Sequence, residues 1–110
     1  MIKDRLDKIE ERLKQSNTVK ESEKAELLNL LATLRTEIAG LSNTHHEQAE
    51  SIAGFAELST REATRSEKSP ALFDLSIEGL TSSVQGFEVS HPELVAVINT
   101  FCTMLSKLGI

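Results

Sequence analysis

Apolar residues recur at alternating spacings of four and three positions along most of the chain, which is the period of one helix face. The clearest run comprises Leu27, Leu31, Leu34 and Ile38. Only two prolines and five glycines interrupt the 110 residues, too few for the many turns of an all-β domain. The pattern therefore predicts an all-α protein in which the heptad is the only evident repeat.

Four helices are predicted from this periodicity, at about residues 2–15, 19–65, 70–88 and 91–108. The clearest boundary lies at Ser69 and Pro70, because serine is a strong N-cap residue and proline needs no N–H donor in the first turn. The first helix carries dense charges of both signs around a narrow apolar stripe, as a coiled coil does. The C-terminal part of the chain carries few charges, which is typical of a core.

The second predicted helix has two interpretations. Gly40 is a suitable residue to end a helix, and a new helix could begin near Thr44. Against this, the apolar stripe keeps its phase from Leu41 to Ile52 across the intervening polar residues. The continuity favours a single helix over residues 19–65, which would be about 70 Å long.

A helix of this length is about twice the diameter of a compact domain of 110 residues. We therefore expect a single helical domain over residues 1–110, with a coiled-coil-like rod at 1–68 and an apolar helical hairpin at 69–110. The expected architecture is a set of elongated antiparallel helical hairpins that assemble into an oligomeric bundle.

The predicted helix over residues 91–108 is apolar on more than one face, so a single neighbouring helix would leave part of it in water. Each exposed Leu, Val or Phe side chain forfeits about 1.5–3 kcal/mol of burial. We expect a second copy of the chain to cover this surface, in a homodimer or a homotetramer. The candidate interface residues are Leu27, Leu31, Leu34, Ile38, Ile52, Phe55, Leu94, Ile98, Phe101, Leu105 and Leu108.

Charge balance and cysteine content indicate a compartment and argue against some partners. The formal net charge is −5, whereas a duplex-binding module concentrates positive charge on one face. The charged start predicts no signal peptide, and the uncharged run at residues 94–106 is shorter than a membrane span. Cys102 has no second cysteine to pair with, as is typical of reducing compartments. We expect a cytoplasmic protein with neither a membrane nor a nucleic-acid partner.

The titratable residues form no catalytic or metal-binding pattern. His46 and Glu50 are one helical turn apart, but the adjacent His45 points to another side of the helix, which favours a polar register position over a metal site. His91 precedes a helix start without an identifiable nucleophile, and Cys102 lies among apolar residues. No catalytic, cofactor-binding or metal-binding residue is predicted, no cofactor is expected, and an enzyme is the least favoured class.

The segment Phe87-Glu88-Val89-Ser90-His91-Pro92, followed by an apolar helix and by Leu108-Gly109-Ile110, resembles a small bacterial family of helical proteins of unknown function. The resemblance covers about residues 75–110 and, less strongly, residues 1–38. It implies a charged opening helix, a Leu-rich second helix and this joint before a final helix. Residues 42–68 have no counterpart in the family. The resemblance implies no activity and therefore no catalytic residues.

The favoured function is that of a non-enzymatic, cytoplasmic, homo-oligomeric protein that acts as an interaction or scaffold module. Its expected partners are further copies of itself and an unidentified protein. The alternative is a nucleic-acid-associated regulator that uses the charged N-terminal helix, although interleaved Asp and Glu residues argue against it. The basic residues of that alternative are Lys3, Arg5, Lys8, Arg12 and Lys14.

Overall fold

The heptad stripes fold into five α-helices in the computed structural model, which describes residues 1–108. They are α1 (Ile2–Gln15), α2 (Glu21–Ser42), α3 (His46–Thr64), α4 (Pro70–Ser83) and α5 (Pro92–Ser106). No strand occurs among the described residues, so the all-α prediction is confirmed. α1 has the predicted bounds, and α4 begins as predicted after Ser69, whose hydroxyl accepts a hydrogen bond from the backbone N–H of Leu72.

The prediction of a single helix over residues 19–65, and with it the count of four helices, is wrong. α2 ends at Ser42 and α3 begins at His46, so the chain turns at a short corner between them. The break lies after Gly40, which stays helical inside α2. The stripe keeps its phase across the corner because both helices bury it in one core, where Leu41 has no exposed surface.

The predicted elongated architecture is also wrong. The molecule measures 37 × 25 × 23 Å, with a radius of gyration of 12.9 Å, close to the roughly 13 Å of a compact domain of this length. Its accessible surface is 6098 Å², against roughly 6,000 Å² for a compact monomer of this mass. Residues 1–68 therefore contribute three helices to a bundle rather than a rod, because folding back at the corners buries their stripes within the chain.

α3 is the central helix and packs against all four others. Small side chains on α3 allow this, because they let the neighbouring helices approach closely. The fully buried alanines of α3 are Ala49, Ala53, Ala56 and Ala63. α2 also packs on α5, and the buried residues of all five helices join one hydrophobic cluster. Residues 42–68 thus contain the centre of this fold.

Identical residues recur 46 positions apart in the hairpin α2–α3 and the hairpin α4–α5. From the sequence pattern, no repeat other than the heptad was predicted. His45 and His91 both directly precede a helix, with backbone φ/ψ angles of −136°/63° and −138°/63°. Each of their N–H groups donates to the carbonyl four residues earlier, on Leu41 and on Phe87. Identical residues at this spacing include Leu34/Leu80, Gly40/Gly86, His45/His91, Glu47/Glu93, Ile52/Ile98 and Phe55/Phe101.

The end of α4 departs from this correspondence and from the sequence prediction. α4 ends at Ser83 rather than near residue 88. The chain turns at Gly86, whose φ of +95° lies in the left-handed region that glycine adopts without strain. The N–H of Gly86 donates to the carboxylate of Glu88 at 2.9 Å, which holds the turn.

The last helix, α5, lies within its predicted range of 91–108 but is shorter at both ends. Of the Leu-Gly-Ile sequence after it, Gly109 and Ile110 lie outside the described residues. Between residues 1 and 108, no helix has both the length and the apolar character that crossing a bilayer requires.

Candidate functional site

The residues predicted to face a second copy lie mostly inside the chain. Nine of the eleven are at most 1% exposed: Leu27, Leu31, Leu34, Ile38, Ile52, Leu94, Ile98, Phe101 and Leu105. Leu108 is partly buried against the same core, and Phe55 is 37% exposed. The premise that a single chain cannot cover these stripes is therefore wrong, because α5 packs mainly on α2 and also on α3 and α4, while α3 covers α4.

Exposed apolar surface is found instead on α4 and the adjoining part of α3. Leu72 is 47% exposed and Leu75 is 63% exposed, while Phe73 on the opposite side of α4 is buried. Phe55 of α3 lies directly over Gly79, where an added Cβ would clash with its ring. Leu72, Leu75 and the Phe55 ring together form what we call the α4 surface. The candidate interface residues predicted from the sequence include Phe55 but neither of these two leucines.

The basic residues of the nucleic-acid alternative are largely neutralised by carboxylates. Lys3 donates to Asp7 at 2.9 Å, and Lys14 donates to Glu10 at 2.8 Å. Arg5 is likewise bound at 2.9 Å, to Glu57 of α3. Of the five, Lys8 and Arg12 have no carboxylate within 4.0 Å among the described residues. α1 therefore does not present a continuous positive stripe to a nucleic acid.

A charge network joins α1 to α2 through Arg35. Its guanidinium donates to Asp7 at 2.8 Å and to Glu10 at 3.1 Å. Hydrogen bonds from Lys3 and then from Arg35 hold the pKa of the Asp7 carboxyl below its usual range. Hydrogen bonds from Lys14 and then from Arg35 lower the pKa of the Glu10 carboxyl in the same way. The sequence alone does not show that Asp7 and Glu10 belong to such a network.

A polar pocket of about 330 Å³ lies where α1 ends beside the connection from α3 to α4. Arg12 is its single charged residue. The Nε of Arg12 donates to the Oγ1 of Thr64 at 2.7 Å, and that hydroxyl donates to the carbonyl of Thr60 at 2.8 Å. The remaining lining residues are uncharged and polar: Gln15, Ser16, Asn17, Thr18, Thr64 and Ser66.

A second groove, of about 240 Å³, adjoins the pocket and shares Arg12 with it. Lys8 and Arg61 line this groove, together with Glu11 and with the Glu57 that binds Arg5. The structure thus brings Arg61 of α3 to the two unpaired cations of α1. No sequence signal pointed to Thr64 or Arg61, because each lies about fifty residues from Arg12 in the sequence.

Three rings meet where the corner before α3 contacts the connection before α5. The ring centroids of His45 and Phe87 are 5.4 Å apart, those of Phe87 and His91 are 5.5 Å apart, and all the contacts are edge-on. Each histidine Nδ1 lies within hydrogen-bond distance of the preceding hydroxyl, on Thr44 and on Ser90. The cluster joins the two hairpins through packing.

The remaining titratable candidates lie apart from these regions. His46 is 3.6 Å from Glu50 and accepts or donates a hydrogen bond with Ser42, so this pair is a local surface contact. In residues 1–108 no three potential ligands converge on a metal position. Cys102 is 8% exposed, and burial raises the pKa of its thiol, as expected for a core residue.

Comparison with known proteins returns no relative for this chain: no family model matches it, and neither a curated protein nor a solved structure matches it significantly. Over residues 1–108, the helices and their packing define the class of fold as a five-helix bundle with α3 at its centre.

Proposed function

We propose that the protein is a non-enzymatic interaction module that acts as a homo-oligomer, with the α4 surface as the contact between copies. The observation that carries this proposal is the exposure of Leu72 and Leu75 on a helix whose opposite side is already packed. Burying a leucine of this kind stabilises a contact by about 1.5–3 kcal/mol when it is fully covered. A cytoplasmic location and kinship with the small bacterial helical family are part of the same proposal.

The sequence of the exposed side of α4 suits a second copy of the chain. Leu72, Leu75, Gly79 and Ser82 follow the heptad spacing, with the large residues in the first half and the small ones in the second. An antiparallel copy would place leucines against the glycine and serine positions, and matched sizes of this kind allow helices to interdigitate. The ring of Phe55 over Gly79 extends the contact onto α3.

The expected dimer is weak and reversible. A stable interface buries about 800 Å² on each partner, more than the exposed parts of three side chains supply. Each copy also carries a net charge of −5, so the two copies repel each other. Added salt screens this repulsion, and we therefore expect it to strengthen the association.

Sedimentation velocity from micromolar to millimolar protein, at low and at high salt, tests the proposal. Leu75→Glu adds a charge within the α4 surface and is expected to abolish the dimer. Val89→Glu is the matched control, since Val89 is 95% exposed in the connection after α4 and lies outside that surface. A monomer at every concentration, or an equal loss of dimer in both variants, would overturn the proposal.

A further inference from the structure

We propose that the polar pocket around Arg12 binds a small phosphate-type oxyanion. The pocket is formed by the end of α1, the connection after it and the connection from α3 to α4. Connections that meet on a rigid scaffold are common positions for binding residues. This proposal uses no residue of the α4 surface and stands independently of self-association.

The first argument is the orientation of Arg12. Its Nε is occupied by the Oγ1 of Thr64, a residue only 9% exposed that is itself bonded to the carbonyl of Thr60. This anchor leaves the two terminal Nη groups of the guanidinium for a ligand. A guanidinium held in this way presents a planar fork that matches two oxygens of one oxyanion.

The second argument is the absence of a carboxylate from the described lining of the pocket. Arg12 is its one charge, and the hydroxyl and amide groups of the other lining residues supply neutral hydrogen bonds. An anion placed here meets no fixed negative charge within the lining. The pocket volume of about 330 Å³ lies at the small end of the range for small-molecule sites.

The third argument concerns the kind of oxyanion. The two oxygens of a planar carboxylate are satisfied by the guanidinium fork alone, whereas a phosphate directs further oxygens towards the surrounding donors. Ser16 and Ser66 contribute hydroxyl groups to the lining, and the Ser16 Oγ also accepts a hydrogen bond from the N–H of Thr18. Lys8 and Arg61 in the adjoining groove are matched in number by Glu11 and Glu57, so the attraction for an anion comes from Arg12 itself. These features favour a phosphate group over a carboxylate.

A titration of the ¹⁵N-labelled protein with inorganic phosphate, followed by NMR and by calorimetry, tests this assignment. Saturable shifts are expected for the amides of residues 15–18 and 64–66. Arg12→Gln is expected to weaken binding at least about tenfold, because a charge-assisted pair of hydrogen bonds is lost. Thr64→Val keeps the charge but removes the anchor of the guanidinium, and is expected to weaken binding severalfold.

Lys14→Gln is the matched control, because it removes the same charge from the same helix at a residue bound to Glu10 outside the pocket. It is expected to leave phosphate binding almost unchanged. If Arg12→Gln fails to fold, Arg12→Lys keeps the charge without the fork and is expected to weaken binding as well.

Acetate and a DNA duplex serve as the other arms of the experiment. The proposal is overturned if phosphate causes no saturable shift, or if Lys14→Gln weakens binding as much as Arg12→Gln. Equal binding of acetate would overturn the preference for phosphate. Tighter binding of the duplex at the same residues, with a steep salt dependence, would replace the small ligand by a nucleic acid.

Discussion

The hairpins α2–α3 and α4–α5 carry matching residues 46 positions apart, yet matching residues do not have matching exposure. Ile52 and Ile98 are fully buried in both hairpins. Phe55, however, is 37% exposed, whereas its counterpart Phe101 has no exposed surface. The comparison teaches that the local pattern decides which side of a hairpin a residue occupies, while the other elements decide whether that side is covered.

The hairpins also differ in what lies on their outer faces. Among the five described helices, α1 packs on α2 and α3 but not on α4 or α5. Arg35 ties α1 to α2, and Arg5 ties α1 to Glu57 of α3. The outer side of α4 has no such cover, and Leu72 and Leu75 are exposed there. The two candidate sites follow from this asymmetry, one at the edge of α1 and one on uncovered α4.

The largest expected effect is on the free energy of unfolding when each of the two matching phenylalanines is replaced by alanine. Phe101→Ala should lower the free energy of unfolding by about 3–5 kcal/mol, because it opens a cavity in the core. Phe55→Ala should lower it by about 1 kcal/mol, since part of the ring is already in water. Urea unfolding followed by circular dichroism measures both. Equal losses would show that the hairpins are energetically equivalent after all.

The matching glycines provide a second comparison, with effects of opposite sign. Gly86→Ala should destabilise the protein by about 1–2 kcal/mol, because alanine is strained at a φ of +95°. Gly40→Ala should stabilise it by about 0.5–1 kcal/mol, since Gly40 lies in a helix and an added Cβ meets nothing within 4 Å. Thermal unfolding of both variants checks the signs. A loss of stability in Gly40→Ala would contradict the helical assignment there.

The smallest expected effect concerns the network that ties α1 to the first hairpin. The pKa values of Asp7 and Glu10 are lower in the folded chain than in the unfolded chain, so the unfolded chain takes up protons first as the pH falls. Stability should therefore decrease as the pH falls through the acidic range. Arg35→Gln removes one donor from both carboxylates and should make this decrease shallower.

Unfolding at a series of pH values, for the original chain and for Arg35→Gln, measures that slope. Arg61→Gln is a suitable control, because Arg61 has no carboxylate within 4.0 Å among the described residues. An unchanged slope in Arg35→Gln would mean that Lys3 and Lys14 alone set the pKa values of Asp7 and Glu10.

Predictions from the sequence succeeded where the signal is local. The bounds of α1 and the Ser69 cap of α4 depend on neighbouring residues, and both are confirmed. The corner before α3 was not predicted, because an unbroken stripe is expected both from one long helix and from two helices that share a core. The Arg12 pocket was missed because Thr64, which orients its guanidinium, is 52 residues away.

The order of apolar and polar residues by itself determined that the chain is helical and which side of each helix is buried, because a helix repeats every 3.6 residues whatever surrounds it. Only the tertiary structure decided that the stripes cover one another within one chain, since coverage depends on how elements far apart in sequence pack. It also decided which polar groups remain unpaired: three of the five basic residues on α1 met carboxylates, and Arg12 did not.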